Sequence, residues 1–157
     1  NLIEKIRNAG DVAIRSTFIV GFPGETDEQY QKLYDFIGEY KLNYAGFFAY
    51  SKEDGTAAAK LKNQIPQAVK NKRLKNITAL QSKVIFENNK NYVGKSLKVL
   101  YEGIDYDNNI FYGRPEFCAP EVDAKVLFSS DNLVNVGNFY DVKITGANGY
   151  DLLGEVK

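Results

Sequence analysis

Histidine is absent from these 157 residues. That removes the commonest general base and metal ligand and argues against self-contained triad or metal chemistry. Cysteine occurs once, at Cys118. A lone cysteine excludes an internal disulfide and fits a reducing, cytoplasmic compartment. With no histidine to activate it, Cys118 reads as a bystander rather than a nucleophile. Methionine is absent too, even at position 1. The chain opens already in helical rhythm, Asn1-Leu-Ile-Glu-Lys-Ile-Arg7, so the expectation is an internal fragment of a larger protein. Excess charge of either sign is missing as well: 20 Lys and Arg balance 20 Asp and Glu. Global charge therefore implies no nucleic-acid partner. No apolar run approaches the roughly 20 residues of a membrane span. No signal-peptide pattern opens the chain, so no membrane partner is expected.

What is there supports real cores. The sequence is 44% hydrophobic and 13% aromatic, and its length suits one domain or two small ones. Its organising stretch is Arg15-Ser-Thr-Phe-Ile-Val-Gly-Phe-Pro-Gly-Glu-Thr26. From Ile14 to Val20 the residues are β-branched and aromatic, which suits a strand. Alternation puts Ile14, Ser16, Phe18 and Val20 on one face, and Arg15, Thr17, Ile19 and Gly21 on the other. The first face suits packing under helices. The second is more polar and ends in a glycine, where a ligand can lie against the backbone. Pro23 stiffens the turn between Gly21 and Gly24. Thr26 is a good N-cap, and Gln29 completes a capping box. This places the C-terminal end of a strand beside a helix N-terminus, the edge where α/β folds hold ligands. The plain alternative is a well-made βα turn that binds nothing.

Leu2, Ile3 and Ile6 form the stripe of a short helix closed near Gly10. Asp27 to Tyr40 carries the spacing of an amphipathic helix. Leu42 to Tyr50 is a second strand. A helix between two such strands makes a βαβ unit with parallel strands. Pro66 opens a long helix reaching about Asn91. Its lysines and Arg73 read as a solvated face, with phosphate binding as the alternative. Beyond Gly94 short strands crowd together: Leu97–Glu102, Ile110–Pro115, Ala124–Phe128, Phe139–Thr145 and Tyr150–Val156. Five strands in so short a span predict a small closed β-barrel. The boundary falls near Tyr92–Gly94, giving domains 1–92 and 93–157. Charge divides there too: residues 1–93 carry a net +4 and residues 94–157 a net −4. An acidic barrel repels phosphate backbones and attracts basic partners.

Val20-Gly-Phe-Pro-Gly-Glu-Thr26, Phe48-Ala-Tyr-Ser51 with Gly55-Thr56, and the long helix leading into a β-barrel resemble the radical S-adenosylmethionine methylthiotransferases. The barrel resembles their TRAM domain, an OB-like five-stranded unit. Tyr112-Gly-Arg-Pro-Glu-Phe-Cys-Ala-Pro-Glu-Val-Asp123 and Ile144-Thr-Gly-Ala-Asn-Gly-Tyr-Asp-Leu-Leu-Gly-Glu155 are similar to segments of the RimO-type branch. The resemblance implies an α/β partial radical S-adenosylmethionine barrel, its last two parallel strands, followed by the TRAM barrel. It implies an activity for the longer parent: adding a methylthio group to an aspartate β-carbon of ribosomal protein S-twelve. The parent's cofactors would be S-adenosylmethionine and two 4Fe-4S clusters. The cluster-binding CxxxCxxC loop is not in this sequence, so the fragment is expected to bind no cluster and to be inactive alone.

The resemblance also assigns residues. Thr17, Ile19 and Gly21 occupy a GxIxG pattern that supports an adenine in this family, with Thr17 standing where the pattern has its first glycine. Tyr50, near the end of the next strand, is a further cofactor contact, while Phe48 reads as core. Arg15 reads as a barrel-floor ion pair, and Glu25 as a residue favouring the helix N-terminus. Arg114, Glu116, Glu121 and Asp123 form a candidate docking surface for the basic ribosomal protein. The alternative there is a loop shaped by Pro115 and Pro120 with solvated charges. Cys118 stands where this branch has an aspartate. Two other functions stay open: a MiaB-type enzyme acting on a tRNA adenosine, and a standalone OB-like binding module. An exposed edge on the first strand predicts dimerisation of the fragment.

Overall fold

A computed structural model describes residues 2–10 and 12–156. The chain divides into two compact units, 1–84 and 85–157.

The first unit is α/β. Helix α1 (Leu2–Ala9) buries none of its residues. Strand β1 (Arg15–Val20) is followed by α2 (Asp27–Tyr40) and β2 (Tyr44–Ala49). The helix starts where its cap dictates. Thr26 Oγ1 accepts from the Gln29 amide, and the Gln29 side chain accepts from the Thr26 amide. It stops at Lys41, in the left-handed region at φ 46°. The two strands run parallel, in register from Arg15 opposite Tyr44 to Val20 opposite Ala49. Two further bonds pin their starts: the Ile14 amide donates to Asn43 Oδ1, and the Tyr44 amide to the Ile14 carbonyl. One face of this sheet packs under α2 and α3 (Gln67–Lys90). Val20, Ile37 and Ile77 are fully buried there, with Phe18, Phe36, Phe47 and Leu74 packed around them. Phe18 stacks on Phe47 and meets Phe36 edge-on. The strand alternation expected from the sequence is the one observed: Phe18 and Val20 turn inward, and Arg15, Thr17 and Ile19 outward.

The second unit is a closed barrel of five strands, ordered β3-β4-β5-β7-β6. They are β3 (Ser96–Asp105), β4 (Ile110–Pro115), β5 (Val126–Ser130), β6 (Phe139–Asn148) and β7 (Asp151–Val156). The β5–β7 pair is parallel and the other pairs are antiparallel. Strands β3 and β6 outrun their expected ends, and each carries a register shift, at Tyr101/Gly103 and Ile144/Gly146. Such bulges let one strand bend and serve two neighbours around a small barrel. Inward residues fill the lumen: Val99, Tyr101, Val126, Phe128, Val142, Ile144 and Leu152. Tyr101 meets Phe111, Phe128 and Tyr140 edge-on. Gly113 is required here, because a Cβ would run into the Leu100 carbonyl across the ladder. The end of α3 belongs to this unit: Asn89 Nδ2 donates to the carbonyls of Gly149 and Tyr150. Among the described residues no helix is long and apolar enough to cross a membrane.

Burial raises the Tyr101 hydroxyl above its ordinary 10.0, with smaller upward contributions from Tyr106, Tyr112 and Tyr140. In the unfolded chain this hydroxyl ionises first. Its contribution to stability is therefore whole below pH 10.0 and declines as pH rises from there toward the folded value. Alkaline unfolding followed by tyrosinate absorbance should show that decline, and Tyr101→Phe should flatten it. An identical alkaline profile in the variant would remove this group from the balance.

Candidate functional site at the strand ends

The turn after β1 is held by charge. Gly21 sits at φ 74°, a region closed to most side chains, and its amide donates to Glu25 Oε1 at 2.9 Å. The same carboxylate oxygen lies 2.5 Å from Arg73 Nη1, whose second contact is the Glu25 carbonyl at 3.3 Å. Arg73 Nη2 reaches Asp27 Oδ1 at 2.6 Å. Glu25 and Arg73 are both nearly buried, whereas Asp27 is exposed. The guanidinium also lies over the Tyr30 ring, and the Tyr30 hydroxyl donates to the Arg73 carbonyl at 3.0 Å. Burial opposes the guanidinium's charge. The hydrogen bond to Asp27 and the field of Glu25 outweigh it, and the pKa of Arg73 is raised. Burial raises the Tyr30 hydroxyl as well.

One turn earlier on α3, Lys70 is only 5% exposed. Its Nζ donates to the Tyr50 carbonyl at 2.9 Å and lies over the Tyr50 ring. Its stem covers Gly21: a Cβ at that glycine would stand 2.5 Å from Lys70 Cγ. The Tyr50 amide donates in turn to the Val20 carbonyl. Lys70 and Arg73 were expected on a solvated face. They are instead buried, because both fall on the same stripe of α3 as Ile77, Gln81 and Val84, the stripe that faces the sheet. Glu25 was read as serving the helix N-terminus; its carboxylate bonds Gly21 and Arg73 instead.

The outward face of the sheet is open. Thr17 pairs with Gly46 and Ile19 with Phe48 across the ladder. Ile19 is 54% exposed and Phe48 62%. Phe48 is therefore not core, since the strand turns it away from both helices. Tyr50, just beyond the strand, is buried against Phe22, and its hydroxyl has no hydrogen-bond partner among the described residues. Arg15 stands over the Tyr44 ring. Exposed apolar side chains in register beside a glycine form a surface that fits a flat heteroaromatic ring. A cluster of iron and sulfur is another matter. Among the described residues no three potential metal ligands come together. A cysteine-held cluster needs more thiolates than the single one present.

In the barrel, Arg114 Nε pairs with Glu102 Oε1 at 2.7 Å across the β3–β4 ladder. Asp123 Oδ2 accepts from the Ala119 amide at 2.7 Å and closes the loop after β4. Glu116 and Glu121 are exposed, Glu121 at φ 60°. Cys118 is buried in the same loop.

Comparison with known proteins gives this geometry its context. The TRAM domain family matches residues 93–156. Over 99% of its length the chain is 47% identical to the ribosomal protein uS12 methylthiotransferase RimO of Alkaliphilus oremlandii. It is 38% identical to the protein of that name from Acetivibrio thermocellus over 99% of its length, and 40% to that from Thermoanaerobacter sp. over 98%. The chain matches a C-terminal segment of RimO. It spans 35–36% of the length of these relatives. The RimO match runs through both compact units. The closed barrel is the TRAM part, and the parallel pair with its helices precedes it.

Gly21→Ala should destabilise the first unit by about 1–3 kcal/mol from its backbone angle alone. The contact with Lys70 adds to that cost. Urea unfolding of the variant measures it, and an unchanged midpoint would mean that the turn is not held by these contacts.

Proposed function

We propose that the chain is the C-terminal part of a radical S-adenosylmethionine methylthiotransferase whose substrate is an aspartate of ribosomal protein S-twelve. The observation that carries this reading is the 47% identity to a uS12 methylthiotransferase over 99% of the chain. The open face of β1 and β2 is the cofactor surface: Thr17 and Ile19 lie under the adenine, with Gly21 and Tyr50 at the strand ends. S-adenosylmethionine, when bound and reductively cleaved, supplies the radical that takes a hydrogen from the aspartate β-carbon. The residues here hold that cofactor in place and exclude water. The two 4Fe-4S clusters of the activity take their thiolates from the remainder of the longer protein.

The TRAM barrel docks the protein substrate. Residues 94–157 carry a net −4, the sign that attracts a basic ribosomal protein and repels RNA. Within the candidate surface, Glu116 and Glu121 meet the partner's cations. Arg114 and Asp123 shape the strand and loop that present them.

Two measurements test this. In the full-length protein, Glu116→Lys with Glu121→Lys should weaken S-twelve binding about tenfold and flatten its salt dependence, since rim charges act mainly on encounter. Unchanged protein binding, or tRNA binding with a steep salt slope, would move the substrate to RNA. Among the described residues β1 and β2 pair only with each other. The outer edge of β1 is where an earlier strand of the parent barrel would join. The 157-residue chain should therefore self-associate as its concentration rises in light scattering. A monomer throughout would contradict the open edge of β1.

A further inference from the structure

We propose that Lys70 and Arg73 are positioning residues that set the two strand ends against the cofactor, a role resting on the reading of that end as an S-adenosylmethionine site. They stand one turn apart on α3. Lys70 takes the carbonyl of Tyr50, the first residue past β2. Arg73 takes the carboxylate of Glu25, which itself holds the amide of Gly21, the first residue past β1. One helical turn thus grips the equivalent point on both strands. The Lys70 stem also fills the space that only a glycine at 21 leaves.

Stability alone does not explain these residues. Both occupy positions on the buried stripe of α3 where Leu or Met would pack, and exchanging the whole Arg73–Glu25 pair for apolar groups is the kind of change that is often neutral or stabilising. What Leu cannot supply is direction. The planar guanidinium forks between Glu25 and Asp27 and fixes the carboxylate against one amide. The ammonium fixes one carbonyl. Ile19, whose side chain meets the ligand, is two residues from Gly21, so a tilt of the strand end displaces the contact surface.

The test uses the full-length protein and S-adenosylhomocysteine as the probe, with affinity read by calorimetry and folding by thermal unfolding. Glu25→Gln with Arg73→Gln, which removes both charges together and keeps both side chains polar, and Lys70→Met should each keep a thermal midpoint near the wild type's while affinity falls tenfold or more. Arg73→Lys should not restore it, because a point charge cannot fork. If Lys70→Met fails to fold, the charge-balanced double variant of Glu25 and Arg73 carries the same two measurements by itself. Folded variants that bind the probe as the wild type does would overturn the positioning role and leave the site reading standing. A wild-type protein that binds no probe would overturn both.

Discussion

A guanidinium out of water must be matched, and in the first unit that one requirement fixes the rest. Arg73 is 6% exposed. Its compensation comes from Glu25, and Glu25 reaches it only because the chain reverses sharply between Gly21 and Gly24. The turn needs Gly21 at φ 74°, and the glycine needs its amide taken, which the same carboxylate does. Removing the cation would leave a carboxylate buried beside an amide; removing the carboxylate would leave the cation. Such a pair contributes little net stability but tolerates few other arrangements of the backbone around it. The turn, the start of α2 and the first turns of α3 are therefore one unit of geometry.

The barrel is organised differently. Its interior is apolar and aromatic, and its charges lie on strands and loops at the surface. The Glu102–Arg114 pair is partly exposed and contributes only modestly to stability. Asp123 serves its own loop by holding the Ala119 amide. Precision is concentrated at the sheet end of the first unit, whereas the second unit presents a net negative surface on a rigid frame. The proposed function asks for this division, a small-molecule site in the first unit and a docking surface in the second.

Much of this was legible in the residues. Thr26 with Gln29 marked the start of α2, and the run of β-branched and aromatic residues marked β1 together with its faces. The five barrel strands followed from turn residues and alternation, although β3 and β6 ran further than expected, because bulges extend a strand without leaving a pattern in hydrophobicity. Lys70 and Arg73 were missed for a physical reason. Cations on a lysine-rich helix look solvated one by one. The signal was their phase: Lys70, Arg73, Ile77, Gln81 and Val84 recur at helical spacing along one buried stripe. Phe48 was misplaced because an aromatic in a strand is ordinarily core, and nothing local says that one face of this sheet lacks a covering layer. Burial of Tyr50 was invisible for a similar cause, since it depends on Phe22 and Lys70 from distant segments.

The parallel pairing of β5 with β7 has a consequence for biosynthesis. Strand β7 lies between β5 and β6 in the barrel although it is made after both. A nascent chain that has emerged only through β6 holds an unclosed sheet with two raw borders and a greasy lumen open to water. Closure waits for Asp151–Val156 to leave the ribosome and slot into the gap. During that interval the apolar lining is exposed to water and to other chains.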